Sequence, residues 1–192
     1  TGVIDIQRAV RPDGTLVLHT HWDAVIIPPS IGAGDTKHMK WLQLAVSYSS
    51  ALGRTMLLVF ENPKQNPAAV LSALAEGTVS VAVCSSDFSS VSPWVSHEAQ
   101  GAMPRVSTLV FSDCASVSSS RITSVCPLQN TDVHLQRVGF TASTLADINA
   151  ATARLYVSDC SSLQGIKNVK VDRLVVTDCT ALLQIDNVAT HE

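Results

Sequence analysis

The chain has 192 residues, of which 46% are hydrophobic and 15% charged, with a formal net charge of −3. That balance excludes a disordered chain and leaves enough apolar material for a sizeable core. No block of basic residues occurs, so neither nucleic acid nor an anionic membrane is expected as a partner.

Read in chain order, the first notable stretch is 16-LVLHTHWDAV-25. A strand there would point His19 and His21 the same way, with Asp23 beyond them, as the opening ligands of a metal-dependent hydrolase would be. The later ligands of such a site are not evident, and Ala24 stands where one hydrolase pattern needs a further His. The sequence favours the plainer reading, a polar strand end. The glycines of 32-GAGD-35 lack both a third glycine at dinucleotide spacing and a phosphate-loop Lys-Ser/Thr. No Gly-x-Ser-x-Gly elbow and no second zinc-protease His after His97-Glu98 appears. No catalysis and no cofactor are therefore expected, nor is a small-molecule ligand.

Residues 38–53 read as a helix with Trp41, Leu44, Ala45, Tyr48 and Leu52 on one face. The run 56-MLLVF-60 reads as a strand. Like 24-AVII-27, it is too short to span a bilayer. Segment 67-PAAVLSALAEG-77 reads as a second helix, opened by Pro67 and closed by Gly77. The Ser-rich stretch 84–104 reads as a loop. The remainder repeats one line: 106-VSTLVFSDCASV-117, 152-TARLYVSDCSSLQGI-166 and 171-VDRLVVTDCTALLQI-185.

Each copy is apolar-x-apolar-x-Asp-Cys with another apolar residue three places after the Cys. Matching the offsets elsewhere gives anchors at Asn62, Cys84, Cys114, Val138, Cys160 and Cys179, spaced 22, 30, 24, 22 and 19 residues apart. The alternation is that of a strand with one buried face. The polar anchor suits a turn, where it can satisfy backbone groups. A lone rung cannot bury its apolar edges, but stacked rungs can.

The line resembles the leucine-rich repeat in its cysteine-containing form, most closely over residues 104–190. Val171, Leu174, Val176, Cys179 and Leu182 fill every slot, whereas Thr152 replaces the first apolar residue of the Cys160 copy. The expected fold is α/β: a right-handed leucine-rich-repeat-like solenoid with a parallel β-sheet. Returns would be helical in the N-terminal half and short or irregular in the C-terminal half, where 19–22 residues leave room for a short turn of helix or extended chain. Residues 1–53 would form a cap or a first irregular rung with its helix, and 54–192 the repeat array. No polar capping repeat is seen before Glu192, so the chain reads as an excerpt of a longer protein.

This alignment puts His134, Arg154, Tyr156, Arg173 and Val175 on the solvent face of the sheet. Leu58 and Phe60, together with Met56, form a second patch. Aromatic and Arg side chains are enriched at binding hot spots. The expected function is that of a non-catalytic scaffold or interaction module whose partner is another protein. A surface or secreted recognition protein of the same repeat class is one alternative, and a hydrolase using His19, His21 and Asp23 another.

Asp113, Asp159 and Asp178 are expected to serve the turn; a Ca²⁺ site at Asp159 and Asp178 is the lesser reading. Cys114, Cys160 and Cys179 would form a structural ladder, which Cys84 could join. The five cysteines are odd in number and lack a CxxC pair. With no Asn-x-Ser/Thr sequon and no visible signal peptide, they lean towards an intracellular setting without fixing it.

Overall fold

The computed structural model describes residues 2–17, 22–95 and 103–191. Its strands are β1 (Val3–Asp5), β2 (Ala24–Ile27), β3 (Met56–Glu61), β4 (Thr78–Cys84), β5 (Arg105–Ser112), β6 (Asp132–Gln136), β7 (Thr144–Ser158), β8 (Gly165–Thr177) and β9 (Gln184–Ala189). They form one nine-stranded sheet in chain order. All eight neighbouring pairs are parallel. Three helices occupy returns: α1 (Thr36–Ala51), α2 (Ala68–Ser72) and α3 (Ser119–Thr123). The fold is thus α/β and solenoid-like, with strands β1 and β2 in the same sheet as the repeats. No helix among the described residues is long and apolar enough to cross a membrane.

Alternation along each strand sorts the side chains into rows. One inward row runs Ile4, Val25, Leu58, Val81, Leu109, Val133, Leu155 and Leu174. A second runs Ile27, Phe60, Val83, Phe111, Leu135, Val157 and Val176. All are buried except Leu174 and Val176, in the last complete rung. Burying a side chain of this size contributes about 1.5–3 kcal/mol, so these rows account for much of the drive to stack.

The turns after β3 to β8 each use one residue in the left-handed region. Asn62, Ser85, Asp113, Arg137, Asp159 and Asp178 have φ of 44°, 53°, 55°, 51°, 53° and 53°. Asn and Asp tolerate this region better than most residues, which explains the recurrent Asp. The N–H of each of the first five donates to the following rung: Asn62 to Cys84 O (3.0 Å), Ser85 to Ser112 O (3.1 Å), Asp113 to Gln136 O (3.1 Å), Arg137 to Ser158 O (3.1 Å) and Asp159 to Thr177 O (3.2 Å). Asp113, Asp159 and Asp178 thus serve the turn through their backbone conformation, whereas the expected role was a solvated side chain or one accepting backbone N–H bonds.

Behind each left-handed residue stands a small anchor. The thiols of Cys114, Cys160 and Cys179 each lie 3.3 Å from the carbonyl two residues earlier, and each also reaches a carbonyl of the preceding rung. Ser86 makes the same local bond to Cys84 O at 3.1 Å. The anchor after β4 is therefore Ser86 and not Cys84, while after β3 the left-handed residue is Asn62 and the anchor position is Pro63. The cysteines form the expected ladder, but Cys84 lies in the sheet beside Ser112.

Two further features refine or correct the expectation: the short C-terminal returns take the extended form, and the buried face of α1 differs. The C-terminal returns are regular strand: β7 has 15 residues and β8 13, each passing round a bend. Their second corner holds Asp147, Asn168 and Asn187, again left-handed at φ of 58°, 51° and 48°. Asn168 Nδ2 donates to Asp147 Oδ1 at 3.0 Å and Asn187 Nδ2 to Asn168 Oδ1 at 2.8 Å, giving a second polar ladder. On α1 the buried stripe is Met39, Trp41, Leu42, Val46 and Ser49, whereas Leu44, Tyr48 and Leu52 are exposed. Trp41 lies inward as expected and donates its Nε1–H to Val17 O at 2.6 Å, but the stripe continues through Leu42 and Val46 and not through Leu44 and Tyr48.

Loop residues 85–95 pack on the returns. Asn66 Nδ2 donates to Val95 O and Ser124 O, at 3.1 and 2.9 Å. Arg121 of α3, 6% exposed, is held between Phe88 and Trp94, with its guanidinium carbon 4.4 and 4.6 Å from the ring centres. Its Nη2 donates to Val91 O at 3.1 Å. Nothing in the repeat pattern points to this cation–aromatic clamp.

Candidate binding face

The outward positions of the same strands form two parallel rows. The first is Asp5, Ile26, Val59, Ala82, Val110, His134, Tyr156 and Val175. The second is Val3, Ala24, Leu57, Ser80, Thr108, Asp132, Arg154 and Arg173. Five expected binding residues therefore do come together: His134, Tyr156 and Val175 in one row, Arg154 and Arg173 in the other.

Rung stacking sets their geometry. Neighbouring strands lie about 4.8 Å apart, close to the spacing at which rings stack. The His134 and Tyr156 rings are 4.6 Å apart and 10° from parallel. Such a pair adds about 0.5–1.5 kcal/mol beyond its buried area and fixes both rings as a flat platform. Arg154 Nε lies 2.5 Å from Asp132 Oδ1 as a charge contact across β6 and β7. It is not an aligned hydrogen bond, since Asp132 Oδ1 lacks one. Arg154 is half exposed, so the pair orients its guanidinium more than it stabilises the fold.

The rim beside the platform is charged. Arg137 grips Asp113 with two bonds, Nε–Oδ1 at 2.6 Å and Nη2–Oδ2 at 2.9 Å, and Ser112 Oγ donates to Oδ2 at 2.8 Å. The Arg137 guanidinium, then the Ser112 hydroxyl, hold the Asp113 carboxyl down to about 2. An open groove along this rim is lined by Asp87, Asp113, Arg137, Asp159, Ser161 and Ser162, among others. Among the described residues no group of three or more His, Cys, Asp or Glu side chains is arranged to hold a metal ion.

The second expected patch is overturned. Leu58 and Phe60 are buried in the core rows, as is Met56. The register pairs Met56 with Val79 and Leu57 with Ser80, one residue from the alignment that took Asn62 as an anchor. A slip of one residue exchanges the two faces of a strand. The half-buried Leu57 and Val59 occupy the outward positions instead. Asn62 itself carried the missing signal: Asn favours the left-handed turn position, so it aligns with Asp113, not Cys114.

His19 and His21 lie outside the described residues. Asp23 directly precedes β2; its N–H donates to Gly2 O at 2.9 Å and its carbonyl accepts from Leu57 N at 3.0 Å. The cysteines are all free thiols. Burial pushes Cys126 up to about 12 and Cys114 and Cys160 up to about 11. Such thiols are poor nucleophiles and serve packing. No protein-family model, curated protein or solved structure matches the chain.

Proposed function

We propose that the chain is a non-catalytic recognition module of leucine-rich-repeat-like design, binding another protein through the outward face of β5–β8. The observation that carries this reading is the in-register row Val110, His134, Tyr156 and Val175, flanked by Arg154 and Arg173. An aromatic platform with apolar ends and guanidinium groups alongside has the composition of an interface hot spot. Hydrogen-bonded rungs hold these side chains before a partner arrives, which lowers the ordering cost of binding. The repeated alternation, the anchor thiols and the parallel stack support the repeat class, with the short C-terminal returns in their extended form.

The test is a pull-down from native lysate read by mass spectrometry, with wild type against Arg154→Ala/Tyr156→Ala. Both side chains lie on the outward face, so the double variant should keep the circular-dichroism spectrum and melting temperature of wild type. The expected result is one or more proteins recovered by wild type and lost with the variant. Equal recovery by both would remove the platform from the binding site.

A further inference from the structure

Among the described residues Arg121 is the only charged side chain that is buried. Phe88 and Trp94 hold its guanidinium carbon at 4.4 and 4.6 Å, and its Nη2 donates to Val91 O at 3.1 Å and to Ser92 O at 3.4 Å. The rings offset part of the desolvation cost but leave the charge whole. Arg121 Nε and Nη1 are buried with no acceptor, and so is Trp94 Nε1. Burial lowers the Arg121 guanidinium below its ordinary value, and no carboxylate among the described residues acts to raise it. A buried cation ordinarily has an anion beside it, and this one lacks it.

A cleft of about 290 Å³ lies against the same segment. Lys64, Gln65 and Asn66 line one wall, and Ser92, Trp94 and Val95 the other. Asn66, itself buried, pins the walls together: its Nδ2 donates to Val95 O at 3.1 Å and its Oδ1 accepts from Ala68 N at 3.0 Å. The cleft is thus formed before any ligand arrives. Arg121 stands behind the second wall, bonded to the Val91 and Ser92 carbonyls. A trans peptide points its N–H opposite to its C=O, so the Ser92 N–H faces away from Arg121, and no described residue accepts from it. Lys64 is exposed on the first wall and donates to the neutral Asn62 Oδ1 at 3.2 Å. Asp87 feels the Lys64 charge, but it bonds the Ser89 N–H and lies outside the cleft.

We propose that this cleft binds a small organic anion, one carboxylate carried on an apolar body. The two charged groups that border it are both cations. Lys64 stands at its edge, and Arg121 acts through a wall of low dielectric, where its field is weakly screened. No Asp or Glu lines the cleft. Lys64 pairs with the carboxylate, and the Trp94 and Val95 side chains cover the apolar body. The volume holds about ten water-sized groups, which suits a single ring with its carboxylate. Lys64 and Trp94 lie in different returns, so no motif announces the site, and the sequence carried no expectation of a small ligand.

The probes are benzoate, benzamide and benzylamine, which at neutral pH put an anion, a neutral amide and a cation on the same ring. Each is titrated into the isotope-labelled chain at fixed ionic strength. The signal is the indole N–H resonance of Trp94, assigned from its loss in Trp94→Phe. The expected result is a saturable shift with benzoate and binding about tenfold weaker, or less, with the other two. Lys64→Glu, at an exposed position, should weaken benzoate by about tenfold and keep the melting temperature of wild type. Arg121→Gln removes the charge behind the wall and should also weaken benzoate. That variant can fail to fold, so Lys64→Glu carries the decision. Equal affinity for the three probes, an unmoved Trp94 signal, or full benzoate affinity in Lys64→Glu would overturn the proposal. So would half-saturation only above about 10 mM benzoate, which marks adventitious binding.

Discussion

The first rungs and the last rungs solve the same closure problem in different ways. The return from β2 to β3 contains the 16-residue α1, whereas β7 to β9 return as strand in circuits of 19–22 residues. A helix advances ~1.5 Å per residue and a strand ~3.3 Å. A long circuit can spend residues on a helix; a short one must stay extended to get round the core. The return then becomes sheet, and it needs a left-handed corner of its own, which Asp147, Asn168 and Asn187 supply. The N-terminal rungs are therefore held by side-chain packing under helices. The C-terminal rungs are held by backbone pairing along most of their length.

The sharpest break in this comparison comes from deleting the same core slot in adjacent rungs. Leu155→Ala opens a cavity between two covered rungs and should cost about 2–5 kcal/mol. Leu174→Ala removes a half-buried side chain at the open end and should cost clearly less. Urea unfolding of both variants measures the difference. Equal losses would mean that the last rung is covered in solution. Introducing a charge is harsher still: Leu174→Asp should unfold the C-terminal rungs, seen as loss of amide-exchange protection confined to β8 and β9.

The second ladder gives a smaller effect. Asn168→Gly keeps a residue suited to φ of 51° and loses only the side-chain bonds to Asp147 and Asn187. Asn168→Ala loses the bonds and adds backbone strain of about 1–2 kcal/mol. Alanine should therefore be the less stable of the two. The reverse order would show that side-chain bonding and chain entropy outweigh the corner's conformation.

How much of this could be read from the sequence depended on which residue marked the rung. Where Asp-Cys marked it, the outward positions of Arg154, Tyr156, Arg173 and Val175 were legible, and His134 followed from matching the same offsets to Val138. In the β3 rung Asn62 stood in for Cys, and one place of slip put Leu58 and Phe60 on the wrong face. The strand returns were hidden for a physical reason. A left-handed residue inside a strand sets inward side chains three apart, as in Ile166 and Val169, and that spacing breaks the two-residue alternation. On α1 the sequence placed Trp41 inward correctly, but packing buries Leu42 and Val46 in place of Leu44 and Tyr48. That choice is made by packing, not by the helix's own period.

A last test concerns the anchors. Burial raises the Cys114 and Cys160 thiols to about 11 from the ordinary 9.0 of a free thiol. The folded chain therefore favours the protonated form, and these groups contribute stability that is fully present below pH ~9. That contribution declines as the pH rises from ~9 through ~11, because unfolding lets the thiols ionise while the fold resists it. Wild type should lose urea-unfolding stability across this window. A Cys114→Ser/Cys160→Ser variant, whose hydroxyls do not titrate there, should start lower and show a shallower decline. Both anchors donate to carbonyls of their own and the preceding rung, so the serines keep a donor at each turn. Parallel slopes for the two proteins would assign the alkaline loss to other groups and leave the ladder as packing alone.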